Sequence, residues 1–227
     1  MHRHTLLFAA LVALGCQDPA SVANLCAASP DRLEPQGWEY IRAARDGDDH
    51  HLYERAEQCA LEIASLEPGS HPAALLRGNA LQGQHRFRDA RRIAERLVEE
   101  RGLAHDWALL GDAAMEEGDL ALAERAYQRM VDLRPDASAY SRVAHFRELV
   151  GDTAGARDLM RWAARAVSPR TPDDFAWVWS RLALYELALG SADAALEIAE
   201  RAVAVAPTSR HAQQARARIL MQQEMDS

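Results

Sequence analysis

Six consecutive residues near the start of the chain bring together side chains that bind metal ions. The segment from Asp46 to His51 reads Asp-Gly-Asp-Asp-His-His and contains five carboxylate or imidazole groups. Both kinds of group are common ligands of zinc or calcium. Adjacent side chains diverge, however, and no second cluster with suitable spacing accompanies this one. The sequence therefore predicts a solvated turn here and no bound metal.

Motifs of catalysis are not found in the rest of the sequence. It contains no Gly-rich phosphate loop, no nucleophile elbow and no His-Glu-x-x-His pattern. The abundant acidic residues have the spacing of solvated helix surfaces. We therefore predict no catalytic residues, no cofactor and no enzymatic activity. An enzyme whose active site brings together His105, Asp112 and His145 stays open as an alternative.

Composition excludes two further classes of protein. The chain has 227 residues, of which 34 are acidic and 26 basic, for a net charge of −8, and 48% are hydrophobic. The acidic balance argues against a nucleic-acid partner, and the hydrophobic share argues against disorder. Because strong helix formers dominate and Gly and Pro are sparse, the sequence predicts an all-α fold.

Cys16 is the residue with the most specific predicted chemistry. It follows a basic Arg3, an apolar run over residues 6–14 and a small Gly15. The run is too short for a transmembrane helix, which needs about 20 apolar residues, but it suits a secretory signal. The Gly15-Cys16 junction resembles a bacterial lipobox, although Ala13 stands where that motif usually has Leu. The resemblance implies a signal peptide over residues 1–15 and a lipid on Cys16.

Two other interpretations of this N-terminal segment stay open. One is a secretory signal that is cleaved elsewhere, and the other is a helix that is never cleaved, which would leave the protein in the cytoplasm. If Cys16 carries a lipid, Cys26 and Cys59 remain as an even pair in an oxidising compartment, where they could form a disulfide. Two small buried hydrophobic residues are an equal alternative for these cysteines. Residues 16–36, which include three prolines, are predicted to form a tether.

The remainder of the chain is an internal repeat. The stretch that begins at Trp107 resembles the tetratricopeptide repeat (TPR), whose pattern is Trp-x2-Leu-Gly-x2-Tyr, then Ala-x3-Phe and a closing Pro. The matching residues are Trp107, Leu110, Gly111, Ala123, Tyr127 and Pro135. Ala114 stands where the family has Tyr.

The other copies follow from the small residue that lets the two helices of a hairpin approach. These residues are Ala56, Ala90, Ala123, Ala156 and Ala195, at spacings of 34, 33, 33 and 39. The five copies span residues 37–70, 71–103, 104–136, 137–175 and 176–208, and residues 209–227 should form a capping helix and tail. The longest spacing predicts a longer first helix in the fifth hairpin. The resemblance implies a right-handed α-solenoid of five hairpins and a cap.

Three dipeptides mark tight turns inside the hairpins. Gly118-Asp119, Gly151-Asp152 and Gly190-Ser191 each place a glycine that ends one helix before a side chain that can cap the next.

In this family the first helices of the hairpins line a concave groove that binds partners. Counting along those helices predicts that the groove is lined by Arg42, Asn79, His105, Asp112, Glu116, Ser138, Arg142, His145, Trp177 and Arg181. Arg142, His145 and Arg181 form a cationic group suited to a carboxylate. The alternative is that these cations pair with Glu148, Asp173 or Asp174 on the solenoid itself. For Trp177, a peptide anchor and a core position are equally favoured.

The resemblance implies a non-catalytic scaffold or adaptor. We predict a membrane-anchored bacterial lipoprotein that binds a protein or peptide partner in the cell envelope, with no nucleic-acid or small-molecule ligand. The alternative is a soluble cytoplasmic adaptor, regulatory subunit or secretion chaperone with an uncleaved N-terminal helix.

Overall fold

The computed structural model describes residues 29–47 and 49–225, and the secondary structure of these residues is helical throughout. The helices are α1 (Pro30–Gly47), α2 (His51–Leu66), α3 (His71–Gly83), α4 (Phe87–Glu100), α5 (Ala104–Glu116), α6 (Leu120–Leu133), α7 (Ala137–Leu149), α8 (Thr153–Ala166), α9 (Pro172–Ala188), α10 (Ala192–Val205) and α11 (Arg210–Met225). The predicted signal peptide, Cys16 and Cys26 lie outside the described residues. In the described part of the chain, no helix combines the length and apolar character needed to cross a bilayer.

Consecutive helices pair into five antiparallel hairpins. We call α1, α3, α5, α7 and α9 the A helices and α2, α4, α6, α8 and α10 the B helices; each A helix packs on the B helix that follows it. Neighbouring hairpins pack on one another in chain order, and α11 packs on α9 and α10 at the end of the stack. The predicted all-α repeat solenoid is confirmed.

Small residues set the distance between the helices of each hairpin. Ala56, Ala90, Ala123, Ala156 and Ala195 are all fully buried, with 0% exposure. In the third hairpin Gly111 allows a still closer contact, because a Cβ at this position would lie 2.6 Å from Cε1 of Tyr127. Interiors packed this tightly tolerate little added volume, so these positions restrict the side chain to one or no carbon atoms.

The predicted tight turns are present, and two of their three caps form. Gly118, Gly151 and Gly190 have φ angles of +79°, +87° and +82°, which a glycine adopts without strain. Asp119 accepts a hydrogen bond from the amide of Leu122 at 3.1 Å, and Asp152 caps α8 in the same way. The prediction is wrong for Ser191, whose side chain makes no capping bond. At this end the carboxylate of Asp193 in the first turn supplies the negative charge that the helix dipole favours.

The first hairpin begins earlier than the sequence analysis predicted. Helix α1 starts at Pro30, so the prediction of a tether is wrong for residues 30–36. Pro30 at the helix start and Asp31 in its first turn favour this beginning, and the full burial of Leu33 holds the turn against the first core. Pro30 is therefore compatible with a helix, and Pro35 lies inside it. As predicted, α9 is longer, with 17 residues against 13 in α7.

Cys59 is fully buried in α2, within the core of the first hairpin. Because Cys26 lies outside the described residues, its disulfide with Cys59 stays a prediction.

Buried carboxylates join neighbouring helices, and the sequence analysis did not find them. Asp106 is 0% exposed and accepts hydrogen bonds from Nη2 of Arg101 at 2.6 Å and from the amide of Leu103 at 2.9 Å. Glu186 of α9 pairs with Arg161 of α8 at 2.6 Å, across the junction between the fourth and fifth hairpins. A carboxylate buried this deeply is costly to leave without its partner, so these contacts oppose any sliding between hairpins.

Candidate functional site

The A helices and α11 line a groove that consists of three connected compartments. The N-terminal compartment has a volume of about 260 Å³ and the middle one about 740 Å³, and they share Asp112, Ser138 and Arg142. The C-terminal compartment, of about 550 Å³, shares His145 and Trp177 with the middle one. Because each compartment continues into the next, the groove crosses all five hairpins and reaches the cap.

Most of the predicted groove residues line these compartments. The eight that do are Asn79, His105, Asp112, Ser138, Arg142, His145, Trp177 and Arg181. Arg42 and Glu116 do not: Arg42 pairs with Glu39 on its own helix at 3.2 Å, and Glu116 is exposed at the end of α5.

The early start of α1 explains the misplaced residue in the first hairpin. Counting from residue 37 selected Arg42, whereas the helix begins at Pro30 and presents Trp38 and Arg45 to the groove. Neither residue was among the ten predicted from the repeat register. The buried Leu33, Ile41 and Ala44 mark the face of α1 that packs on the first core, and that apolar pattern was the available signal for its register.

Arg142 belongs to a network that crosses three helices. Its Nε donates to Oδ1 and Oδ2 of Asp112 on α5, at 3.2 and 3.1 Å. The hydroxyl of Tyr127 on α6 donates to the same carboxylate at 2.9 Å. The charge of Asp112 raises the pKa of Arg142. Burial, with a further contribution from Asp112, raises the pKa of Tyr127, so the phenol stays neutral.

Glu148 contacts the other two members of the predicted cationic group. Its Oε2 accepts from Nη2 of Arg181 at 2.5 Å and from the hydroxyl of Tyr185 at 3.0 Å, and lies 3.4 Å from Nδ1 of His145. The alternative interpretation, pairing on the solenoid, therefore describes His145 and Arg181. Arg142 is paired as well, but with Asp112, which is not among the acids considered in the sequence analysis.

The two tryptophans of α9 have different surroundings. Trp177 is 37% exposed and lies where the middle and C-terminal compartments meet. Trp179 stacks on Phe175 with ring centroids 5.0 Å apart, and the guanidinium of Arg201 covers it at 4.3 Å. Trp179 is therefore a packing residue, whereas the ring of Trp177 is available to a ligand in the groove.

His105, Asp112 and His145 do not share one compartment. His105 and Asp112 line the N-terminal compartment, while His145 lies in the other two. The oxygens of Asp112 are bonded to Tyr127 and Arg142, so this carboxylate is not free to act as a base. In residues 29–47 and 49–225, no group of three or more His, Cys, Asp or Glu side chains is arranged to hold a metal.

The raised pKa of Tyr127 makes stability depend on pH in the alkaline range. Because the unfolded chain releases this proton near the ordinary pKa of 10.0 while the folded chain retains it, the free energy of unfolding should fall as pH rises above that value. Tyr127→Phe should lower the free energy of unfolding by about 1 kcal/mol at neutral pH, through loss of the bond to Asp112, and should lose less stability on going to about pH 11.

Urea unfolding at the two pH values measures both effects. Tyr140→Phe is the matched control at neutral pH, since the hydroxyl of Tyr140 makes no hydrogen bond to the part of the chain that the structure describes. The raised pKa and the hydrogen bond of Tyr127 would be contradicted if Tyr127→Phe had the same free energy of unfolding as wild type at neutral pH and lost the same amount at alkaline pH.

Comparisons with known proteins support the same architecture. No protein-family model matches the chain, and neither does any curated protein. Several solved structures, by contrast, match the chain. TTC0263, a thermophilic TPR protein of Thermus thermophilus, superposes with a TM-score of 0.66 at 16% identity, over 82% of this chain and 99% of that one. A tetratricopeptide repeat protein of Parabacteroides merdae gives 0.67 at 13% identity, over 88% and 75% of the two chains.

A third similar structure is YrrB, a TPR protein with an unusual peptide-binding site. It gives a TM-score of 0.52 at 18% identity, over 78% of this chain and 90% of that one. Identities this low carry information on the fold alone. Together with the five hairpins and their buried alanines, these likenesses show that the chain has the fold of a TPR solenoid.

Proposed function

We propose that this protein is a non-catalytic scaffold that binds a segment of a partner protein in the groove of its A helices. The observation that carries the proposal is the continuity of the three compartments from Trp38 on α1 to Arg218 on α11. A continuous groove with polar walls and an exposed ring, Trp177, suits a peptide segment anchored by one or a few side chains. The peptide-binding site of the structurally similar YrrB supports the proposal by analogy of fold.

We further propose that the solenoid is held at a bacterial membrane by a lipid on Cys16. The support is the apolar run over residues 6–14 followed by Gly15-Cys16. The partner would then belong to the cell envelope. A single acyl chain gives only marginal membrane binding, so we expect the cysteine to carry more than one chain.

Photo-crosslinking in living bacterial cells tests the site of partner binding. A benzophenone amino acid replaces either His105 or Ser138, which are exposed in the groove, or Glu124 or Glu200, which are exposed on B helices. We expect a discrete crosslinked protein from the two groove positions and none from the B-helix positions. Crosslinks of equal yield from Glu124 and Glu200 would contradict binding in the groove.

Metabolic labelling with an alkyne analogue of palmitate tests the anchor. Label should appear on wild type and on Cys26→Ser, the matched control, but not on Cys16→Ser. A wild-type protein without label that retains Met1 in its mass spectrum would overturn the lipoprotein proposal and favour a cytoplasmic adaptor.

A further inference from the structure

The C-terminal compartment of the groove differs from the other two in charge. Asp112 and Asp136 line both the N-terminal and the middle compartment. The C-terminal compartment is lined by Arg181, Arg218, His145 and His211 and by no carboxylate of the described chain. In a protein with a net charge of −8, a compartment whose charged lining is entirely cationic is a local exception. Such a site attracts an anionic group.

The cation on α11 is not neutralised by the solenoid. Glu148 pairs with Arg181 and lies near His145, which accounts for one charge. Arg218 makes no ion pair or hydrogen bond with the residues that the structure describes, and it faces the compartment with Gln214, four residues earlier on the helix. An unpaired guanidinium at the wall of a groove is suited to bidentate binding of a carboxylate.

A buried hydroxyl in the same compartment also lacks a partner. Ser180 is 3% exposed, and within the described part of the chain its Oγ has no hydrogen-bond partner. The neighbouring Ser141, by contrast, donates to the carbonyl of Ala137 at 2.7 Å. Buried polar groups are nearly always hydrogen-bonded, because an unmade bond is costly. The hydroxyl of Ser180 therefore keeps an unused donor, which a ligand's acceptor reaches when the side chains that cover it move aside.

The rest of the lining is apolar. Trp177 and Leu184 form a wall that can contact methylene groups, and the buried Met160 lies behind it. A volume of about 550 Å³ lies within the range of about 300–1,000 Å³ that is typical of ligand pockets. The compartment thus combines a surface for an aliphatic stem with donors for an anionic end.

We propose that the C-terminal compartment is a specificity pocket for a glutamate or aspartate side chain within the bound partner segment. The inference rests on the proposed function, partner binding in the groove. A side chain suits the site better than a chain end, because the compartment opens into the middle one and a bound segment continues along the groove. The aliphatic stem packs on Trp177 and Leu184, and the carboxylate accepts from Arg218 and from the hydroxyl of Ser180.

Three mixtures of fluorescein-labelled peptides of about nine residues serve as probes, with neutral residues at every position except the centre. The first has a central Glu and the second a central Gln, both with blocked ends; the third has Gln and a free terminal carboxylate. Fluorescence anisotropy with the purified full chain measures the affinities. We expect the Glu mixture to bind about tenfold more tightly than the Gln mixture, the scale of one charge-assisted hydrogen bond.

Variants assign the preference to the compartment. Arg218→Gln should reduce the preference for Glu to about twofold, whereas Arg216→Gln, the same charge change on the same helix outside the lining, should retain it. Ser180→Ala should reduce the preference about threefold without lowering the thermal unfolding temperature, because the hydroxyl has no partner to lose in the described chain.

Four results would overturn the pocket. The first two are equal affinity for the Glu and Gln mixtures, and a preference for Glu that Arg218→Gln does not reduce. The other two are tighter binding of the free-carboxylate mixture than of the Glu mixture, and no binding of any mixture. The proposed function is judged separately, by the crosslinks from His105 and Ser138. If those crosslinks form while the pocket fails, the groove binds its partner through other residues.

Discussion

The close approach of paired helices at fully buried alanines is the constraint on which the rest of the structure depends. Each hairpin has one such alanine at the contact of its two helices, as Ala56 and Ala123 illustrate. Since interiors packed this tightly tolerate little added volume, the repeated alanine favours a similar helix spacing in every hairpin, and successive hairpins stack with their A helices on a common side. The groove is a consequence of that stacking. Its presence does not depend on any particular residue that lines it.

The internal repeat in the sequence was sufficient to predict the hairpins, because the small residues at the helix contacts recur every 33 or 34 residues over most of the chain. The same register placed Asn79, Trp177 and six other residues in the groove. The first hairpin was misjudged, since Pro30 and Pro35 suggested a tether, while burial of Leu33 and Ile41 determines the helix. Local composition cannot report a tertiary contact that has yet to form.

Charge pairing was the part that the sequence predicted least well. Arg142 and Asp112 are 30 residues apart in the sequence, nearly one repeat length. Neither helical spacing nor composition therefore reveals that they pair. Such residues become partners only when one repeat packs on the next. Most of the groove is neutralised by such pairs, which hold the A helices together. Arg218 and Ser180 in the C-terminal compartment have no such partner among the described residues, and for that reason they are informative about a ligand.

The most direct test of the central claim, that helix spacing is set by the buried alanines, is the free energy of unfolding of Ala123→Leu in urea. The control is Ala121→Leu, the same change on the same helix at an exposed position. Extra atoms in a well-packed contact cost about 1–3 kcal/mol, whereas exposed substitutions change stability by about 0.5 kcal/mol or less. The account predicts a loss in that higher range for Ala123→Leu alone. Equal stability of the two variants would contradict it.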